Sequence, residues 1–453
     1  MTEKRKDIIA ASRAEDIAGQ EQPQWLRERL EWFMDLRLGL ILHWGPYCQW
    51  DCCESWPLVP ADTWARPDRL KCWQERDRDL TRFQRDYWAL NRTFNPVQFD
   101  PDGWAQAAQR AGMKYVAFTT KHHDGFCMFD TRTTDYRLTH PDCPFHSHRR
   151  ANVAKEVFEA FRRVGMGISC YFSKSDWHSP YYWSPDFPVR DRNPNYDTHG
   201  RPELWAKFVD FVHRQVEELM TGYGRIDVLW LDGGQVRPPD QDIQMPGLAG
   251  MARSHQPGLI IADRTVGGPY ENFITPEQQV PDAPLGQPWE SCVTVGHSWK
   301  YVPDDKYKPA AELVRMLADV AAKGGNLLLG VGPTPAGTFD PAAVDRLGEL
   351  GDWLAVNGEA IYGTRAVGPY SEGDVRYTKK AKDVYAIVLS AGDRDRPPAK
   401  VRLSGIRPRG GSQVFLLGRK APVAWRIADG QAEFDLPQEH LPCRHAWVLK
   451  IIT

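Results

Sequence analysis

The sequence predicts an α/β protein: a (β/α)8-like barrel over residues 25–365, then a C-terminal antiparallel β-sandwich over 366–453, with residues 1–24 as an N-terminal extension. Three observations carry this reading. Short, continuous apolar runs alternate with amphipathic helical stretches through the first part of the chain, the pattern of parallel strands buried on both faces. Polar and aromatic residues gather directly after those runs, where one rim of a barrel would lie. After about residue 366 the helical periodicity stops, and short β-rich segments separated by turn residues take over.

The elements follow in order. LGLILHW (38–44) reads as the first strand. DPDGWAQAAQRAG (100–112) reads as a helix with Asp100 or Asp102 as its N-cap and Gly112 as its stop. MKYVAFTT (113–120) is the second strand, and NVAKEVFEAFRRVG (152–165) the next helix, with Val153, Val157 and Phe161 on one face. MGISCYFS (166–173) is a strand. The long helix over 202–224 carries the stripe Leu204, Phe208, Val212, Val216 and Leu219. IDVLWLDGG (226–234) and GLIIADR (258–264) are strands, the helix over 310–325 leads into the strand NLLLGVGP (326–333), and a helix over 341–362 closes the unit. An open doubly wound sheet is the alternative. Against it, no Gly-rich dinucleotide turn joins a strand to a helix. Downstream, DVYAIVLS, AKVRLSG, SQVFLLG, QAEFDL and HAWVLKII supply the sandwich, with AGDRDRPP (391–398) as an exposed loop.

Composition narrows the function. The chain has 453 residues and a net charge of −2, so no general field draws it to nucleic acid or membrane. Its 9 cysteines show no zinc-ribbon or disulfide spacing, which suggests reduced thiols and a cytoplasmic protein. The first 20 residues lack a signal-peptide core; a periplasmic or secreted location would require a leader already trimmed. Tryptophan is abundant, at 18 residues beside 16 Tyr and 18 Phe. Much of this serves a core, but indole and phenol faces also match the C–H faces of sugar rings.

The strand ends carry the chemistry. His43 and Trp44 follow the first strand; His122 and His123 the second; Tyr171 lies in the third; Trp230 and Asp232 end the fourth; and Arg264 follows the fifth. Glu277 and Glu290 come next along the chain. Adjacent His122 and His123 suggest a metal, but successive strand side chains point to opposite faces, so one ion could be shared only where the strand has broken. The plain alternative is one histidine in the core and one at the surface. Asp232 with a second carboxylate from another strand is the pair that glycoside hydrolysis requires. A structural Asp232 and loop-borne glutamates are the plain reading of the same residues.

The motifs LHWGPY, TTKHHDGF, IDVLWLDGG, TPEQ, PWESC and KGGNLLLGVGP, with NGEAIYGTR, are similar to the α-L-fucosidase family, glycoside hydrolase family twenty-nine, in the same order from about residue 25 to 366. The resemblance implies a (β/α)8-like barrel with a C-terminal β-sandwich, retaining hydrolysis of fucosylated oligosaccharides or glycosides, and neither metal nor cofactor. It gives Asp232 as nucleophile and Glu277 as acid/base, with Glu290 as its rival. His43, His122 and His123 match residues that bind sugar hydroxyls. Tyr171, Trp230 and Arg264 match pocket-lining positions, and Trp56 matches an early tryptophan. Trp44, beside His43, joins the substrate-binding set. Three features depart from the family: Gly330 where Asn is usual, Lys300 where Gly is usual, and an insert at about 58–86. An α-L-galactosidase on the same fold, and a non-catalytic carbohydrate-binding protein, remain alternatives. A homo-oligomer is compatible with the sequence.

Overall fold

The computed structural model of the chain describes residues 22–390 and 396–452. Most of the N-terminal extension, and residues 391–395 of the AGDRDRPP loop, lie outside them. Seven parallel strands form one sheet: β1 Leu38–Leu42, β2 Tyr115–Lys121, β3 Gly167–Ser173, β4 Val228–Asp232, β5 Ile260–Asp263, β6 Glu290–Thr294 and β7 Asn326–Gly330. Their order is β5-β4-β3-β2-β1-β7-β6, with every pair parallel.

The eighth place in the ring is an irregular segment. Asp263 N–H donates to Tyr270 O at 3.0 Å and Asn272 N–H to Ile261 O at 2.9 Å, tying the segment to β5. Glu290 N–H donates to Ile274 O at 2.8 Å, and Gln278 N–H to Cys292 O at 2.9 Å, tying it to β6. Pro276 has no N–H to give in the middle of this stretch, so a regular ladder cannot run through it.

Alternation along each strand builds two layers. Leu38, Leu40 and Leu42 of β1 face the surrounding helices, as do Val116 and Phe118 of β2 and Leu229 and Leu231 of β4. Ile41, Ala117, Tyr171, Trp230, Ala262, Cys292 and Leu328 point inward and fill the barrel. The helix Gln24–Leu36 packs Leu26, Leu30, Phe33 and Met34 into the same inner cluster. It therefore plugs one mouth of the barrel and leaves the other for chemistry. This helix, the helix Met245–His255 and β6 are additions to the elements read from sequence. The insert folds into short turns and the helix Leu80–Trp88.

The C-terminal part has two antiparallel sheets. One holds β8 Arg365–Glu372, β9 Val375–Lys380, β10 Asp383–Leu389, β12 Val414–Leu416, β13 Pro422–Val423 and β16 Ala446–Ile452. The other holds β11 Lys400–Leu403, β14 Trp425–Ala428 and β15 Gln431–Asp435. Val384, Ala386 and Val388 of β10 face Leu403 and Phe434 in the sandwich core. The alternate residues Tyr385, Ile387 and Leu389 join the barrel's outer cluster. Among the described residues no helix is long and apolar enough to cross a membrane. Among the described residues the cysteines form no disulfide.

Candidate active site

Asp232 is the last residue of β4, in register with Ser173 of β3. Tyr171 and Trp230, one pleat lower on the same two strands, stack with ring centroids 5.1 Å apart. From there the Tyr171 hydroxyl donates to Asp232 Oδ2 at 2.6 Å. Gly233 takes a positive φ of 90°, a turn that brings its N–H back to Asp232 Oδ1 at 2.9 Å. Arg264 Nη1 donates to Oδ1 at 2.9 Å, and His123 Nε2 stands 3.6 Å from Oδ2. Burial alone would push this carboxyl up, but Arg264, His123, the Tyr171 hydroxyl and the Gly233 N–H together hold it well below the usual carboxylate range. The side chain is still 18% exposed, so an ionised oxygen faces the opening.

The ladder between β2 and β3 shifts register between Thr119 and Lys121, and the chain turns at once, with Gly125 N–H donating to His122 O at 3.0 Å. The break brings the rings of His122 and His123 to 4.5 Å. They nevertheless serve different partners. His122 Nδ1 meets Ser55 Oγ at 2.7 Å; His123 Nδ1 meets Ser173 Oγ at 2.5 Å and Ser175 Oγ at 2.9 Å. Among the described residues no group of three or more His, Cys, Asp or Glu is placed to hold a metal ion. Burial pushes His43 down to about 3, His123 down to about 4 and His122 well below its usual value. All three imidazoles are thus neutral near pH 7, each with one donor and one acceptor nitrogen. His43 Nδ1 is buried without a partner. Trp56 closes this side, its ring 4.9 Å from that of His123 and capped by the Arg192 guanidinium at 4.3 Å.

Arg264 is the hub. Its Nη1 grips Asp232, its Nη2 donates to Glu277 Oε2 at 2.8 Å, and its Nε is fixed by Thr275 Oγ1 at 2.9 Å. The guanidinium lies 4.5 Å over the Trp230 ring. Glu277 Oε1 accepts from Trp299 Nε1 at 3.2 Å, and its side chain is 27% exposed. Trp299 packs against His43 at 5.0 Å. It occupies the space left by Gly330, where a Cβ would come within 2.6 Å of the indole. Glu54 Oε1 fixes both flanks of Trp299, accepting from Ser298 Oγ at 2.9 Å and Lys300 N–H at 3.1 Å.

Two reachable carboxylates on one guanidinium, ringed by neutral histidines and indoles at the C-terminal rim, form a sugar-cleaving arrangement. Residues 9–359 match the sequence model of α-L-fucosidase, and residues 369–452 match that of the α-L-fucosidase C-terminal domain. The chain belongs to the α-L-fucosidase family. It is similar to α-L-fucosidase isoenzyme 1 from Paenibacillus thiaminolyticus, with 31% identity and a TM-score of 0.78 over 95% of this chain and 99% of that one. The Thermotoga maritima α-fucosidase, solved in complex with a mechanism-based inhibitor, shows 26% identity and a TM-score of 0.74 over 96% and 100% of the two chains. Human plasma α-L-fucosidase is 28% identical over 457 residues, covering 95% of this chain and 92% of its own. The chain is a glycoside hydrolase of this family, with the barrel and C-terminal sandwich that its motifs led one to expect.

Three of the expected rim residues of this fucosidase-family chain lie elsewhere. Glu290 opens β6 instead of following a strand, so it enters the barrel from the end away from the rim. There it is buried, accepting from the Tyr115 hydroxyl at 2.5 Å and Trp230 Nε1 at 3.0 Å. Burial pushes its carboxyl up to about 7. Trp44 follows His43 and so points to the opposite face. Its ring packs on Phe94, Phe99 and Trp104, and its Nε1 donates to Thr334 O at 3.0 Å. Trp230 lines the floor beneath Tyr171 and Arg264 rather than the open wall. His43, Trp56, His122, His123, Tyr171, Asp232, Arg264 and Glu277 do converge. Sequence reasoning missed Ser55, Ser173, Ser175, Thr275 and Trp299. Only Trp299 left a trace, in the unusual Gly330.

Proposed function

We propose that this enzyme removes terminal α-L-fucosyl residues from glycans or glycosides by double displacement with retention. The observation that carries the reading is the Arg264 fork holding Asp232 and Glu277 together. Sharing one guanidinium draws the carboxylates close. That favours the separation of about 5–5.5 Å found in retaining enzymes over the roughly 6.5–9.5 Å of inverting ones. Asp232 attacks the anomeric carbon while protonated Glu277 gives its proton to the leaving oxygen, breaking the glycosidic bond and forming a glycosyl ester on Asp232. Glu277, now a carboxylate, takes a proton from water. The hydroxide equivalent attacks the same carbon, and Asp232 leaves as a carboxylate. His43, His122 and His123 exchange hydrogen bonds with the sugar hydroxyls, and the nearby rings shelter the sugar's methyl group. The Thermotoga maritima relative has also been solved with fucose itself, which supports the choice of sugar.

The test is hydrolysis of an aryl α-L-fucoside followed by proton NMR from the first turnover. α-Fucose should form first and mutarotate later. β-Fucose as the first product would make the enzyme inverting. An aryl α-L-galactoside turned over in preference to the fucoside would replace the sugar.

A further inference from the structure

The helix Leu80–Trp88, at the end of the insert, buries Phe83 and Tyr87 from one face. Asp79 caps the helix, its side chain accepting from Arg82 N–H at 2.6 Å. Phe83 packs on the rings of Trp50, Trp73 and Tyr87. Tyr87 also carries a hydroxyl into the core behind the sugar pocket. Its Oη donates to Asp124 Oδ2 at 2.9 Å and stands 3.3 Å from Glu54 O. One phenol therefore bridges the turn after β2 and the segment that runs through Glu54.

Each side of this bridge bears on the active site. Asp124 follows His123, and its Oδ1 accepts from Phe126 N–H at 3.2 Å, within the turn that carries both histidines. Glu54, Ser55 and Trp56 are consecutive, yet each reaches a different part of the site. The Glu54 carboxylate holds the flanks of Trp299, the Ser55 hydroxyl meets His122 Nδ1, and the Trp56 ring packs on His123. Glu54 takes a positive φ of 31°. That backbone is uncommon for a residue other than glycine and persists where its neighbours fix it. Tyr87 is one of those neighbours, at the Glu54 carbonyl. The bridge also survives titration of Asp124, whose carboxyl burial pushes up to about 7. Ionised, Asp124 accepts the phenol proton; protonated, it can donate to the phenol oxygen and leave the phenol proton for Glu54 O.

We propose that Tyr87 is a positioning residue of this enzyme: its hydroxyl locks residues 54–56 to the His122–Asp124 turn and so fixes both imidazoles where they meet the sugar. Buried behind the pocket, Tyr87 acts through these neighbours and not on the sugar itself. Without the hydroxyl, two segments that present groups to one sugar are no longer tied to each other, and both imidazoles lose their fixed aim. The proposal rests on the fucosidase reading above.

The experiment measures kcat and KM on an aryl α-L-fucoside, and competitive inhibition by L-fucose, at a temperature where every variant is folded by circular dichroism. Tyr87→Phe keeps the ring and deletes the hydroxyl. Its KM and its inhibition constant for L-fucose should each rise about fivefold to tenfold, with kcat within about threefold of wild type. Phe83→Leu loosens the same helix face without touching the bridge. It should lower the melting temperature yet leave both constants within about twofold of wild type. Ser55→Ala cuts the path to His122, so combined with Tyr87→Phe it should raise the L-fucose constant by less than the product of the two single effects. Constants unchanged in Tyr87→Phe, or shifted as far in Phe83→Leu, overturn the proposal, as do single effects that multiply in full. A wild type inert toward the aryl fucoside would instead remove the fucosidase reading itself.

Discussion

Glu290 shows at the residue scale how burial separates two similar carboxylates. Glu277 is reachable and paired with Arg264, whereas Glu290 is sealed in the barrel and held by Tyr115 and Trp230. With its pKa raised from 4.5 to about 7, Glu290 in the folded protein keeps a proton that the unfolded chain has lost. Its contribution to stability is therefore complete below about pH 4.5 and is lost as pH rises toward 7, then levels off. Glu290→Gln mimics the protonated acid, its carbonyl accepting from Trp230 Nε1 and its amide N–H donating to the Tyr115 hydroxyl oxygen, and it cannot ionise. The stability of wild type relative to Glu290→Gln should therefore fall between pH 5 and pH 8, by up to a few kcal/mol. Calorimetry across that range checks this. A difference that stays flat or grows with pH would place the charge elsewhere. Glu290 was misread for one local reason. ESCVT is short and polar-looking, so β6 went unrecognised, and a residue at a strand's start was counted among residues at strand ends. Trp44 is the converse case: its strand was recognised, and pleating alone separates it from His43.

At the scale of elements, the strands legible in the sequence are those with apolar residues on both faces, β1 to β5 and β7. The closing segment was not legible, because Pro276 and isolated bridges replace a ladder. That segment delivers Thr275 and Glu277, so the rim was visible only as a set of motifs without a strand to hold them. The loop after β6 delivers Trp299, which no periodicity announces. Its place depends on Gly330 in β7. Gly330→Asn should evict the indole, break its contact with Glu277 and lower kcat/KM about tenfold or more, with overpacking costing roughly 1–3 kcal/mol of stability. If Gly330 acts through Trp299, then Gly330→Asn combined with Trp299→Ala should lose little more activity than the larger single effect. Losses that add in full would mean that the two residues act independently.

For the whole molecule, the sequence showed two textures and the structure shows how they join. One face of β10 and β16 completes the sandwich, while Ile387, Leu389 and Val448 of the other face pack on the barrel's outer cluster. Trp353 Nε1 reaches across to Ala446 O at 2.9 Å. Removing residues 365–453 would bare this apolar face of the barrel. The truncated chain should be poorly soluble and lose most of its fucosidase activity, as measured by sedimentation and by turnover of an aryl fucoside. A monomeric, fully active barrel would show that the contact is dispensable.

Double displacement by this enzyme would leave Asp232 covalently glycosylated between its two steps. A 2-fluorine slows both displacement steps by destabilising the positive charge at the anomeric carbon, while a fluoride leaving group lets the first proceed without an acid. Treatment with 2-deoxy-2-fluoro-L-fucosyl fluoride should therefore give a stoichiometric adduct in intact mass, and peptide fragmentation should place it on Asp232. An adduct on Glu277 or Glu290, or steady hydrolysis that passes through no adduct and releases inverted sugar, would contradict it.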